Sequence, residues 1–264
     1  MPSAGAFIPV RLDSERLPRK ALSKIAGKTV LEHLIQRVEA VKHIVSKRDI
    51  VVCTTTDSSD NELQVLADRI GVSCYRGEKN DLIKRFYDAN EFFSFDTILQ
   101  IDGDDPLAPP EYSELVLQAL VEDEIDVSCT TDLICGLNVK AFTAAALKRV
   151  YEAYQTPDNE TGFGLYFLSE KLCTVKRIKP LKKVHSRPNV RLTLDYAEDL
   201  EVISAVITRN AASHAYSIDS ILEVFDSDET LQNKNWERQR DYEDRGRERR
   251  PPFFATVKGK QIRI

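Results

Sequence analysis

Ala6-Phe7-Ile8-Pro9-Val10 runs directly into Arg11-Leu12-Asp13-Ser14-Glu15-Arg16-Leu17-Pro18-Arg19-Lys20, and the reading of this stretch decides the fold. The apolar run is short enough for a buried strand, and it ends in a polar loop that carries Arg11, Ser14, Arg16 and Lys20. A strand, then a basic loop, then a helix makes a polyanion cradle. Loop amides and a helix N-terminus supply partial positive charge, and the arginines and lysine supply full charges. In an open α/β sheet such a loop sits at the carboxyl end of a strand, where ligands bind. Solvated basic residues are the commoner use of such side chains. Here the position after a first strand, the turn set by Pro18 and the spacing of the four residues favour a triphosphate. The loop is not a Walker motif, because Gly-x-x-x-x-Gly-Lys-Ser/Thr is missing.

Outward from this loop, strand and helix signals alternate. Thr29 to Ala40 carries apolar residues at helical spacing, Asp49 to Thr54 reads as a buried strand, and Asp60 to Ile70 reads as a helix closed by Gly71. Val72 to Arg76 reads as a strand, Asp81 to Phe92 as a helix, and Phe95 to Ile101 as a strand. Pro110 to Val121 follows as a helix and Ile125 to Thr130 as a strand. This pattern predicts an α/β, Rossmann-like three-layer α/β/α sandwich with a mostly parallel sheet. Further on, Ala141 to Ala153 and Glu198 to Arg209 read as helices, and Leu172 to Ile178 and Val190 to Leu194 as strands. Residues 1–231 read as the catalytic domain and 232–264 as a charged C-terminal extension. Within the extension, Trp236 to Arg250 reads either as an exposed charged helix, packed on a partner through Trp236 and Tyr242, or as a mobile segment.

The chain has 264 residues, 42% hydrophobic and 30% charged, with a formal net charge of -5, which describes a soluble domain without the basic face of a nucleic-acid binder. Five cysteines, an odd number with no C-x-x-C pair, read as reduced thiols and favour the cytoplasm. No secretory leader and no membrane segment are expected, since no apolar run approaches the ~20 residues needed to span a bilayer.

A second constellation is acidic. Asp102-Gly103-Asp104-Asp105-Pro106 follows the apolar strand, and Asp195 ends a later strand in Arg191-Leu192-Thr193-Leu194-Asp195. Single acidic loops are mostly turns or helix caps, the role expected of Asp199. Two aspartates at strand ends beside a basic cradle instead suit Mg²⁺, which takes few carboxylates and bridges phosphates.

The loop Pro9 to Lys20 resembles the A-R-x-x-S-x-R-L-P-x-K signature of cytidylyltransferases that activate acidic sugars, shared by CMP-Kdo synthetase and spore-coat polysaccharide cytidylyltransferase-like proteins. Further fingerprints are Tyr75-Arg76-Gly77, Gly103-Asp104-Asp105-Pro106, Gly136-Leu137-Asn138-Val139-Lys140-Ala141-Phe142 and Arg191 to Asp195. The resemblance covers about residues 6 to 209. It implies a GT-A nucleotide-diphospho-sugar transferase fold with a small β arm, a homodimer, and Mg²⁺-dependent transfer of CMP from CTP to an anionic sugar for glycan biosynthesis. It implies that Arg11, Ser14, Arg16 and Lys20 bind the triphosphate and that Asp104 and Asp195 hold the metal, with Arg16, Lys20 and Asp104 catalytic. Pro9, Arg76, Gln100 and Asp102 fall near the nucleoside, and Asn138 and Lys140 on the acceptor side. Lys140 stands where these relatives usually carry an acid. A GTP- or UTP-dependent sugar-1-phosphate enzyme and a silent binding module are the alternatives.

Overall fold

The structure, a computed structural model, describes residues 2–212, 216–248 and 252–264. Strand β1, Ala4–Pro9, is followed by a short ribbon of β2, Lys24–Ile25, and β3, Lys28–Thr29, and then by α1, Val30–Val38. The chain continues through β4 Ile50–Thr55, α2 Asn61–Ile70, β5 Ser73–Gly77, α3 Leu82–Phe93, β6 Thr97–Gln100, α4 Pro110–Glu122 and β7 Val127–Thr130. Then come β8 Lys140–Thr143, α5 Ala144–Ala153, α6 Gly164–Phe167, β9 Val175–Ile178, α7 Ala197–Arg209 and α8 Ile218–Ser227. The C-terminal part forms α9, Arg238–Glu248, and a hairpin of β10, Phe254–Val257, with β11, Lys260–Arg263.

Seven strands form one sheet in the order β5-β4-β1-β6-β8-β7-β9. β8 runs antiparallel to both of its neighbours, and the other pairings are parallel. The central strands β1 and β4 are apolar on both faces because helices cover both. Ala6, Ile8, Ile50, Val52 and Leu99 join one buried cluster with side chains of α1, α2, α4, α7 and α8. Phe7, Val51, Cys53, Ile98 and Phe142 point the other way, into a cluster with α3, α5 and α6. In that second layer Phe86 packs 5.5 Å from Phe7 and 6.4 Å from Phe142, centroid to centroid. Each such side chain removed from water contributes roughly 1.5–3 kcal/mol. The three-layer sandwich expected from the sequence is therefore the observed fold.

Three local expectations are corrected. Lys140–Thr143 is a strand and not the first turn of a helix, because it bridges β6 and β7, and Thr143 instead caps α5 by accepting from the Ala146 amide at 3.0 Å. Val190–Leu194 forms no strand. It makes a single bridge, Arg191 to Cys135, and its amides at Leu192 and Leu194 donate to Cys135 and Asp104, both in loops. The cradle also does not run straight into a helix, since a short turn at Lys20–Leu22 and the β2–β3 ribbon precede α1.

The extension folds back onto the domain. Phe253 and Ala255 are buried in the second cluster, Phe253 lies 5.5 Å from the Tyr166 ring, and Ala255 bridges Tyr154. The charged run forms α9. Its last two residues, Arg249 and Arg250, and the following Pro251 lie outside the described residues.

Candidate active site

The parallel strands β1, β4, β5 and β6 end along one edge of the sheet. Because β8 runs the other way, its first residue reaches that same edge: Lys140 pairs with Gln100, the last residue of β6. The loops after β1 and β6 then meet across this edge. The Gly103 amide donates to Pro9 O at 3.1 Å, and a Cβ on Gly103 would lie 2.7 Å from that oxygen and 2.8 Å from Val10 Cβ. Only glycine permits this contact, which joins the basic loop to the acidic one.

Lys20 is the centre of the site. Its ammonium donates to Asp104 Oδ2 at 2.8 Å, Asp195 Oδ1 at 2.9 Å and Leu194 O at 2.7 Å. Arg16 donates to the same Asp195 oxygen, and its guanidinium lies 5.4 Å from the Tyr196 ring centroid. Arg191 binds the other oxygen of Asp195 at 3.2 Å. Burial disfavours the charge on Asp195, yet Lys20, Arg16 and Arg191 outweigh it and hold the carboxyl below the usual range. Asp104 moves the opposite way. Burial pushes it up, and the charges of Asp195 and Asp102 add to the push against the single opposing Lys20. Asp105 is raised further, by burial and then by Asp104 and Asp102. Lys20 is itself raised, because Asp104 and Asp195 overcome its desolvation.

Behind Asp195 stands a second layer. Asp199, in the first turn of α7 as expected, accepts from the amides of Asp195 and Tyr196 at 2.9 and 3.0 Å and from Arg191 Nε at 3.0 Å. Asn235, buried and distant in sequence, donates to Asp199 at 2.8 Å and to Arg191 O at 3.0 Å. Neither Arg191 nor Asn235 was singled out from the sequence. Arg191 lay inside a motif read as a strand, and Asn235 lay at the start of a segment read as a charged surface.

The remaining expected residues divide into two groups. Lys140 donates to Gln100 Oε1, lies 3.9 Å from Asp102 and sits 5.1 Å from the Phe163 ring. Gln100 in turn donates to Asp102 at 2.8 Å. These three form one polar group at the mouth. Arg11 pairs with Asp13 at 3.2 Å and Glu160 at 3.7 Å, and Glu160 also anchors the fully buried Arg85 at 3.0 Å. Ser14 is half-buried in the loop, and Asn138 is exposed, accepting from Thr130 Oγ1 at 3.3 Å. Arg76 stands apart. Its guanidinium donates to Thr55 O at 2.9 Å, Asp57 O at 2.7 Å and Asn61 Oδ1 at 2.8 Å, which braces the loop after β4 at the far end of the edge.

The donor set bears on a metal. Among the described residues no cluster of three or more His, Cys, Asp or Glu side chains is placed to enclose an ion. Asp104 and Asp195 nevertheless bring two carboxylates to one positive centre, the Lys20 ammonium. Two carboxylates facing a polyanion cradle fit a hard divalent cation that completes its shell with phosphate oxygens and water, and do not fit an all-protein cage.

A parallel α/β sheet whose first strand opens into a basic loop facing aspartates at neighbouring strand ends is the layout of a nucleotide-binding transferase. The chain belongs to the cytidylyltransferase family, whose family model matches residues 6–217, and it is a nucleotidyltransferase. It is 26% identical over 204 residues to a spore coat polysaccharide biosynthesis protein of Bacillus subtilis, covering 76% of this chain and 84% of that one. It is 30% identical over 165 residues to a 3-deoxy-manno-octulosonate cytidylyltransferase of Yersinia pseudotuberculosis, covering 61% of this chain and 60% of that one. The structure superposes on that of a cytidylyltransferase from Leptospira borgpetersenii with a TM-score of 0.76 at 24% identity, covering 88% of this chain and 97% of that one.

Proposed function

We propose that the protein transfers CMP from CTP to an anionic sugar in a Mg²⁺-dependent reaction that releases pyrophosphate, as a step in building a surface or other glycan. The observation that carries this reading is the Lys20 ammonium shared between Asp104 and Asp195 with Arg16 alongside. Family membership supports CTP as donor, and the sugar named for the Yersinia relative supports an acidic acceptor. The five free cysteines suit a reducing, cytoplasmic setting.

In this reading an acceptor hydroxyl oxygen attacks the α-phosphorus in line, a P–O bond forms as the bond to the β-phosphate oxygen breaks, the hydroxyl proton passes to water, and pyrophosphate leaves. Arg16 and Lys20 neutralise charge gathering on the phosphates, and Arg11 and Ser14 hold the outer part of the chain. Asp104 and Asp195 would hold Mg²⁺, which when bound polarises the α-phosphate. Pro9, Gln100 and Asp102 line the nucleoside side, with Arg76 bracing the loop beyond them, and Asn138 and Lys140 face the acceptor. Positioning and fixed charge then supply most of the rate.

Asp104→Asn and Asp195→Asn should each cut pyrophosphate release by at least about 100-fold while the protein stays folded. Near-normal release from both variants would remove the aspartates from the chemistry. Thermal shift with the four nucleoside triphosphates tests the base: ligand at ~100 Kd adds ~2.7 kcal/mol, so CTP should stand out. A larger shift with GTP or UTP would replace CTP as donor. Nucleotide binding with no pyrophosphate from any acidic sugar or sugar phosphate would mean a silent binding module.

A further inference from the structure

Within the C-terminal extension, the segment Asn235–Tyr242 gathers several of its contacts on one residue, Arg191. Arg191 Nη1 donates to Gln239 Oε1 at 3.1 Å, and the Tyr242 ring lies 4.9 Å from the Arg191 guanidinium. Asn235 holds the Arg191 carbonyl and Asp199 from the same segment. Arg238 lies 5.0 Å from the Tyr196 ring and binds Glu198 on the first turn of α7 at 2.6 Å. Arg191 binds both Asp199 and Asp195, and of the two Asp195 is the carboxylate that Lys20 and Arg16 also hold. Tyr242 keeps 40% of its surface exposed, and partial burial, then the charges of Cys135, Asp105, Asp104 and Asp102, push its phenol up. A surface helix docked only for stability would meet the domain through an apolar stripe. Around Arg191, α9 meets it through a cation–π contact and hydrogen bonds.

We propose that the segment Asn235–Tyr242 forms a wall of the catalytic cleft behind Asp195, with Gln239 and Tyr242 as positioning residues that hold Arg191 and, through it, Asp195. The inference rests on the function proposed above for Asp195. Outer groups that orient a metal-binding carboxylate typically matter by 10- to 100-fold. The cradle from Arg11 to Lys20 meets this segment only through shared partners, Asp195 and the Tyr196 ring, so turnover should suffer more than CTP binding. Cys135, a half-buried thiol, shares Arg191 with the Tyr242 ring, lying 3.9 Å from Arg191 Nη1, so the proposed wall would cover it.

The test uses the full chain with Gln239→Ala, Tyr242→Ala and the conservative Tyr242→Phe, which keeps a ring over Arg191. In Gln239→Ala and Tyr242→Ala, kcat should fall about 10- to 100-fold with KM for CTP and the thermal midpoint near wild type, and Tyr242→Phe should regain most of the rate. Separately, alkylation of Cys135 by iodoacetamide, followed by peptide mapping, should speed up in Tyr242→Ala and stay slow in Tyr242→Phe. Unchanged kcat in both alanine variants, or a fall in thermal midpoint with kcat preserved, would overturn the proposal. Unchanged Cys135 labelling in Tyr242→Ala would overturn the wall itself. If wild type releases no pyrophosphate with any acceptor while Cys135 still becomes uncovered, the function has failed and the wall stands.

Discussion

Lys20 serves two carboxylates at once, and the energetic consequence follows from its burial. Its side chain is 13% exposed, and removing the ammonium would take the cation from Asp104, 31% exposed, while Asp195, 1% exposed, would keep Arg16 and Arg191. Stripping one partner from a fully buried ion pair costs about 3–5 kcal/mol, an upper bound here because Asp195 keeps two cations and Asp104 is partly exposed. Lys20→Met should lower the chemical-denaturation midpoint accordingly, and millimolar Mg²⁺ should restore more stability to the variant than to wild type. Equal effects of Mg²⁺ on the two proteins would separate the aspartates from any metal. Individual residues of this site were legible in the sequence because each sits in a short motif: Arg16 and Lys20 in the first loop, Asp104 and Asp195 after strands. Their partners were not. Arg16 and Asp195 are separated by 179 residues, and no local pattern records which charge meets which.

At the scale of elements, the same contrast holds for α1. Thr29 caps the helix, accepting from the Glu32 amide, while the Glu32 carboxylate accepts from the Thr29 amide at 2.7 Å and its hydroxyl at 2.8 Å. Burial opposes the charge on Glu32. The Thr29 hydrogen bonds outweigh it, with help from Arg69 and His33, and hold the carboxyl below its ordinary range. A carboxyl depressed on folding stabilises above its unfolded pKa and loses that contribution as pH falls through the folded value. Glu32→Ala should therefore cost about 1 kcal/mol at neutral pH, with a smaller gap to wild type as pH drops below the usual glutamate range. A gap that widens on acidification, measured by urea unfolding at several pH values, would contradict the cap. The parallel strands were readable because burial on both faces writes them as apolar runs. β8 was not, since its four residues abut a helix and owe their conformation to two neighbouring strands. The loop Arg191–Leu194 erred the other way: its apolar residues are buried against loops, without a ladder.

Across the whole molecule, the extension at 232–264 is the part the sequence disclosed least. Its charge density describes a solvated face, and Arg240, Glu243 and Asp244 of α9 are exposed. The informative residues, Asn235, Gln239 and Tyr242, are few and uncharged, and they meet residues of α7 and the loop before it some 40 positions earlier. Phe253 and Ala255 then close the second apolar layer from the end of the chain.

The shared ammonium has one more consequence, for the order in which ligands load. Asp104 and Asp195 already have a counterion within the protein, so a bare triphosphate that draws Lys20 and Arg16 away leaves Asp104 uncompensated and Asp195 with Arg191 alone. A divalent cation arriving alone must displace that same ammonium. Arriving together, the two ligands exchange ions: phosphate takes the basic side chains and the cation takes the carboxylates. Binding should then be heterotropically cooperative, with Mg²⁺ and CTP each raising the affinity of the other by the same factor, about 5- to 150-fold for an ordinary coupling. Calorimetric titration of CTP with and without Mg²⁺, and of Mg²⁺ with and without CTP, measures both arms. Coupling absent from both would mean that Lys20 keeps its carboxylates throughout.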